Sequence, residues 1–273
     1  MLPDVAALLA CPVCTGALDA AGRTLRCARG HAFDVARQGY VNLLTRRSRS
    51  PGDTASMVAA RDRFLRGGWY APIADAIADA VAEAAADGVP GAVLDVGAGT
   101  GWYLARVLDA AAEGAVGLAL DVSPFASRRA ARCHPRAGAV VADTWGRLPV
   151  RDGVAGVVLD VFAPRNAAEI ARVLPPGGSL VVVTPAPEHL AELRAALGLL
   201  GVQPDKEERV AASLGERFTP VGERRVRARL HLPPDAVADL VAMGPSAWHG
   251  ARGEVDGPVD VTASVRVARY VSR

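Results

Sequence analysis

The fold class the sequence predicts is α/β: a mostly parallel seven-stranded sheet with helices on both faces, preceded by a small cysteine-bearing module. Three observations predict it. Five short apolar runs, AVLDV (92–96), VGLALDV (116–122), AVVAD (139–143), GVVLDVF (156–162) and SLVVVTP (179–185), are spaced by helical stretches. Continuous apolar strands joined by helices belong to a parallel sheet buried on both faces. Two later runs, RRVRARLHL (224–232) and DVTASVRVARYV (260–271), alternate polar and apolar residues, which suits an antiparallel edge. Ahead of them, CPVCTGALDAAGRTLRCARGH (11–31) gathers three of the four cysteines and one of the five histidines.

Taken in order, residues 1–45 form the module, with extended pieces at RTLRCA and HAFDVA and turns at Gly16, Gly22 and Gly30. Residues 46–90 form a basic linker and leading helices. TRRSRSPGD (45–53) is polar and broken by Pro51 and Gly52. A helix runs from Thr54 to about Arg66, and in the next one Ile73, Ile77 and Val81 fall four apart until Gly88 and Pro90 end it. Residues 91–273 hold the strands, with helices near 102–112, 124–133, 166–174, 188–199 and 235–243.

With 273 residues, 51% hydrophobic and 22% charged, the composition is that of a soluble globular protein. No run approaches the ~18 apolar residues of a membrane span. The start MLPDVAALLACP lacks the basic region and long apolar run of a secretion signal, so a cytoplasmic location is expected. Cysteines stay reduced there, and a tight cluster favours metal over disulfides. Lys206 is the single lysine, a mark of codon usage that carries no functional meaning. Residues 1–50 hold seven Arg against three Asp, a formal +4 that leaves −2 for residues 51–273. A basic module on a mildly acidic body points to an anionic partner, or else to a solvated basic face.

Cys11, Cys14, Cys27 and His31 follow the pattern C-x2-C, twelve residues, C-x3-H. Zinc takes four such donors at tetrahedral corners, and C-x2-C lets two thiolates reach one ion from a single tight turn. A module this small has too little core to fold alone, so one structural Zn2+ supplies the missing stability. The alternatives are a redox pair at Cys11 and Cys14 or a chance grouping. Cys133, at a helix end, is expected to be ordinary packing.

VLDVGAGTGWYL (93–104) is a strand, then Gly97, Gly99 and Gly101, then a helix. Glycines let the backbone approach a ligand, and the helix start offers free N–H groups. A dinucleotide fingerprint would place its last glycine at 102, where Trp102 stands. The G-x-G-x-G form, introduced by Asp95, suits S-adenosylmethionine, which has no pyrophosphate to cradle. Asp121 closes the second strand, the place of a carboxylate that accepts both ribose hydroxyls. Asp143 closes the third and is placed to take the adenine amino group. For both, helix capping is the alternative. The fold expected is therefore a Rossmann-like class I methyltransferase.

With CPVC…C…GHAFDVARQGYVNLL, PGDTASMVAAR, VLDVGAGTG, VFAPRNAAEIARVLPPGGSLVVVTPAPEHLAEL (161–193) and AMGPSAWH (242–249) in view, the chain resembles the 23S rRNA guanine-N1 methyltransferases, the RlmA family. The resemblance covers nearly the full length and looks closest to the branch that holds the macrolide-resistance enzymes of tylosin producers. It implies the four zinc ligands already chosen, and cofactor contacts at Tyr70, Gly99, Thr100 and His189. Read without it, Tyr70 is an aromatic at a helix start and His189 an exposed histidine in a helix's first turn. Thr100 stands where family members often carry glutamate, which leaves its contact to the backbone.

That resemblance sets the chemistry to expect. Guanine N1 is protonated and lies on the Watson–Crick edge, so the target must be unpaired, in a hairpin loop or extruded. Its proton leaves to a base or to water; Asp160, ending the fourth strand, is the candidate base, with a capping or fold role as the alternative. The zinc module and TRRSR supply positive charge, and Trp102, Tyr103, Trp145 and Trp248 are candidate stacking faces. Competing readings are a small-molecule methyltransferase of antibiotic or quinone type with a zinc appendage, a nucleic-acid-binding module without activity, and, least favoured, a dehydrogenase. Whether the chain acts alone or as a homodimer stays open.

Overall fold

Residues 3–46 begin with α1 (Pro3–Ala6), β1 (Asp19–Ala21), β2 (Thr24–Arg26), β3 (Ala32–Asp34) and β4 (Val41–Asn42). Two helices follow, α2 (Ala55–Arg66) and α3 (Ala71–Ala86). The body then runs β5 (Ala92–Val96), α4 (Trp102–Ala110), β6 (Gly117–Asp121), α5 (Pro124–Ala130), β7 (Ala137–Val141), β8 (Ala155–Val161), α6 (Ala167–Val173) and β9 (Ser179–Pro185). It ends with α7 (Ala191–Leu197), α8 (Lys206–Leu214), β10 (Phe218–Leu232), α9 (Pro234–Ala242) and β11 (Val259–Ser272). This computed structural model describes residues 3–46, 48, 52–88, 91–199, 201, 206–244, 247 and 254–273. Arg47, Arg49, Pro51, Pro90 and Trp248, singled out above, lie outside the described residues.

The main sheet has the order β10-β11-β9-β8-β5-β6-β7-β4. Pairings from β4 through β9 are parallel, and β11 and β10 close the far edge antiparallel. The five buried strands and the antiparallel edge are as predicted. The count is not: among the described residues this sheet has eight strands, because Val41 and Asn42 of the module pair beside Val140 and Val141. Two residues carry no periodic signal, yet they satisfy the open backbone edge of β7. β10 also starts at Phe218 rather than 224; the register shifts between Pro220 and Gly222, an irregularity that lets a proline stand in a ladder. Among the described residues the short α1 and β1 also escaped prediction, as did α8, whose Val210 and Leu214 are buried four residues apart.

The apolar core has two halves. Phe64, Ile73, Ile77, Leu104, Leu108, Leu193 and Val237 pack from α2, α3, α4, α7 and α9 against the Val93, Ala119, Val157 and Val181 side of the sheet. On the other side, Leu94, Leu118, Leu120 and Val140 are covered by α6, by α8 and by the module itself, through Val5, Leu9, Leu18, Leu25 and Val35. The module thus does the work of a covering helix layer. Leu9 bridges Val150, and a β-carbon at Gly138 would sit 2.5 Å from a methyl of Val5.

Among the described residues, no helix is long and apolar enough to cross a membrane.

Candidate functional site

Two tight turns build the metal centre. At the first, the Cys11 N–H donates to Gly16 O (2.7 Å) and Thr15 N–H to Cys11 O (2.8 Å); Thr15 takes a positive φ of 61°. At the second, Cys27 N–H donates to His31 O (3.0 Å) and Gly30 N–H to Cys27 O (2.9 Å). The turns bring Cys14 Sγ within 3.6 Å of Cys27 Sγ, and His31 Nδ1 within 3.3 Å of Cys27 Sγ and 3.6 Å of Cys11 Sγ. All four donor atoms lie within 4.8 Å of one another. Zinc bonds of about 2.3 Å to sulfur and ~2.0 Å to nitrogen give tetrahedral edges of roughly 3.5–3.8 Å, so the donor set fits one Zn2+. Four protein ligands close the site, which makes it structural.

The second centre is a cavity of about 700 Å³ on the α2, α3 and α9 side of the sheet. It opens where the strand order reverses, between β5 and β8, which is where open α/β sheets bind ligands. The turn after β5 forms its floor. Gly97 and Gly99 have φ of 78° and 55°, and a β-carbon at Gly97 would lie 2.6 Å from Ala163 Cβ. Glycine is required there by both backbone and space.

Asp95, Asp121 and Asp143 all border this cavity. Asp95 is 1% exposed, and its Oδ2 is buried with no hydrogen-bond partner among the described residues. Burial, and then the charge of Asp121, push its pKa up to about 7. Asp121 joins two loops: Oδ2 accepts the Gly99 N–H (2.8 Å) and Oδ1 the Ser123 N–H (2.8 Å). Burial raises its pKa, while the two backbone donors work the other way. It caps no helix, since Ser123 is the N-cap of α5. Asp143 accepts from Ser48 Oγ (2.6 Å) and from the Trp145 N–H (3.0 Å).

Tyr70 is buried, and its hydroxyl lies 3.4 Å from His189 Nε2. Both residues border the cavity. His189 is half-buried and precedes α7, which starts only at Ala191, because Leu190 takes a φ of 53°. Reading it as an exposed residue of a helix is corrected here. Its Nδ1 accepts the Ser264 N–H (3.1 Å), which leaves the proton on Nε2, and burial lowers its pKa to about 4. Thr100 borders a second cavity, behind the turn.

Asp160 does not line the cavity. Leu159 and Val161 belong to the core on the cavity's side, and Val158 to the other; strand side chains alternate, so Asp160 shares the face of Val158. Its Oδ1 instead accepts from Arg165 Nη1 (2.9 Å), and Arg165 does reach the cavity. Of the candidate stacking faces, Tyr103 is nearly buried against Trp102 (centroids 5.0 Å apart), and Trp145 lines the cavity while 56% exposed.

Three of the lining residues that sequence reasoning missed matter for the chemistry. Arg61 pairs with Asp53, donates to Met243 O (2.8 Å) and lies against Gly99. Both partners of that pair stand in PGDTASMVAAR, a signal within reach of the residues quoted above. Phe162, with φ of 55° and 41% exposed, stands 6.0 Å from the His189 ring; strained backbone of this kind gathers at functional sites. Arg165 is the third.

A glycine turn at the switch point of such a sheet, with carboxylates at three successive strand ends and an orphaned buried oxygen suited to an ammonium, defines a class I methyltransferase that carries a zinc ribbon. The comparisons agree. The family model described as RlmA, N-terminal, a zinc ribbon, matches residues 9–49, and a methyltransferase domain model matches residues 94–182. The 23S rRNA (guanine(748)-N1)-methyltransferase of Streptomyces fradiae is 52% identical over 272 residues, covering 97% of each chain. A Micromonospora griseorubida relative, whose name gives the same rRNA and the same guanine nitrogen, is 54% identical over 293 residues and 99% of each. The chain belongs to the 23S rRNA (guanine-N1)-methyltransferase family.

Proposed function

We propose that this chain transfers a methyl group from S-adenosylmethionine to N1 of an unpaired guanine in a 23S rRNA hairpin. The observation that carries the reading is the 52% identity, over 97% of both chains, to a relative named for that reaction. In this reading residues 1–45 grip the RNA, residues 46–90 connect, and residues 91–273 hold the donor.

Asp95 takes the donor's ammonium on its unpartnered oxygen. Asp121 takes the ribose hydroxyls on the lone pairs its two backbone donors leave free, and Asp143 the adenine amino group. Tyr70, Gly99 and His189 line the space around them. Bound S-adenosylmethionine supplies a methyl already activated on a sulfonium. The protein's task is then to align the acceptor nitrogen. Phe162 and Trp145 offer exposed rings at the rim, against which an extruded base can stack. Arg165, held by Asp160, offers donors to guanine O6, the atom that gains charge as the N1 proton leaves. His189 is neutral with both nitrogens assigned, so it acts as a donor rather than a base, and the proton passes to water.

The test is methylation of unmodified 23S rRNA followed by primer extension. N1 methylation blocks pairing, so a stop one nucleotide before the target is expected. An uninterrupted trace, or methyl found elsewhere on the base, rejects the reading. The resemblance's second implication, macrolide resistance, is tested by drug binding to methylated and unmethylated ribosomes.

A further inference from the structure

A second cavity, about 680 Å³, lies between α2, α4 and α5, back to back with the donor site. Trp102 borders both. The charged residues lining the second one are four arginines, Arg66, Arg128, Arg129 and Arg132, against a single carboxylate, Asp62. Asp62 is shared by Arg66 (3.1 Å) and Arg129 (2.8 Å). Among the described residues neither Arg128 nor Arg132, four apart on one exposed side of α5 and its end, has a carboxylate partner. The wall is also built for a ligand. Thr100 is 5% exposed, and its Oγ1 is buried with no hydrogen-bond partner among the described residues. Phe125, at 51% exposed, leaves a ring open at the mouth.

Surplus guanidinium charge, an orphaned hydroxyl and open aromatic faces are the chemistry that holds a nucleotide: arginine for the phosphate, a ring for the base. Position favours a nucleotide of the substrate. On one side the cavity adjoins the donor site through Trp102. On the other, the module touches the end of α5, where a β-carbon at Gly39 would lie 3.6 Å from Ala131 Cβ. We propose that this cavity binds a backbone phosphate and adjoining base of single-stranded RNA beside the target guanine, bridging the zinc module and the donor cavity. The proposal rests on the rRNA reading above.

The experiment uses the full chain carrying Arg128→Gln and Arg132→Gln together, both exposed and outside the donor site. Affinity for the 23S hairpin is measured by fluorescence anisotropy across a salt series, and S-adenosylmethionine affinity by equilibrium dialysis. The proposal expects hairpin affinity at least ~10-fold weaker and a salt slope shallower by about 1 to 2, with donor affinity unchanged. Phe125→Ala should weaken the hairpin without altering the slope. Unchanged hairpin affinity and slope would overturn it, and so would a parallel loss of donor binding, which would make the arginines supports of the fold. Inorganic phosphate that displaces the hairpin at matched ionic strength, equally well from wild type and variant, would overturn it too. If the wild-type chain binds and methylates no rRNA, the functional reading has failed instead, and the two failures are separable.

Discussion

The buried carboxyl of Asp95 gives the cavity a pH dependence near neutrality. Asp95 has an ordinary pKa of 3.8 when unfolded and about 7 in the folded chain. Between those values the folded form holds a proton that the unfolded form has lost, so the contribution of Asp95 to stability is fully present below about 4 and is lost as pH rises towards 7. A positive ligand group reverses the preference, because only the ionised carboxylate attracts it. Donor affinity is therefore expected to rise as pH climbs through 7, read by dialysis at pH 6 and pH 8. Asp95→Asn should bind the donor at least ~10-fold more weakly and without that pH trend, yet melt higher than wild type at pH 8, since a few kcal/mol of burial cost is removed. His189 makes a different prediction. With its pKa at about 4, single-turnover rates between pH 5.5 and 8 should show no inflection that disappears in His189→Gln.

At the scale of elements, the glycine turn and strand parity decide the site. Gly101 has φ of 74°, and a β-carbon there would lie 2.9 Å from Cys133 Sγ and 3.1 Å from Ala130 Cα. Gly101→Ala combines a strained backbone of ~1–3 kcal/mol with a clash against α5. A melting temperature several degrees lower is expected, with weaker donor binding as the turn shifts. The turn was legible in the sequence because strand, glycines and helix are adjacent there. Parity was harder: AVLDV and GVVLDVF each carry an aspartate near the end, but Asp95 falls on the cavity side and Asp160 on the other. Periodicity predicts alternation along a strand, and only the packed helices say which side holds the ligand. The helix at 188–199 was placed three residues too early for a related reason. Leu190 leaves helical geometry to pass the Thr262 carbonyl its N–H (2.8 Å), a partner far along the chain.

For the whole molecule, the metal and the sheet are one cooperative structure. Module residues Val5, Leu9 and Leu25 are fully buried in the same core as Leu94, Leu118 and Leu120. Removing zinc from a closed site of this kind costs on the order of 10 kcal/mol of binding energy. Chelation, or Cys27→Ser, is expected to lower the one melting transition of the chain rather than to produce a separate early one; differential scanning calorimetry decides. For the same reason, deleting residues 1–45 would strip β4 and uncover an apolar sheet face, so point substitutions are the better probe of RNA binding. The charge count points to residues 1–50 as an anion-binding end or a solvated basic face, and the arginines of α2 and α5 add a second basic cluster within a body of net −2. A sum over residues hides such a cluster, because charges distant in sequence cancel on paper and not in space.

By itself the sequence determined the zinc ligands, the glycine turn and the parallel core strands. Each is written within about twenty residues, as ligand spacing, backbone freedom or hydrophobic period. Tertiary structure alone decided which carboxylates border the cavity, how Tyr70 comes to face His189 across 119 residues, and that the module completes the sheet. Those depend on chain segments that cross the sheet before they touch, and no local pattern records where a crossing ends.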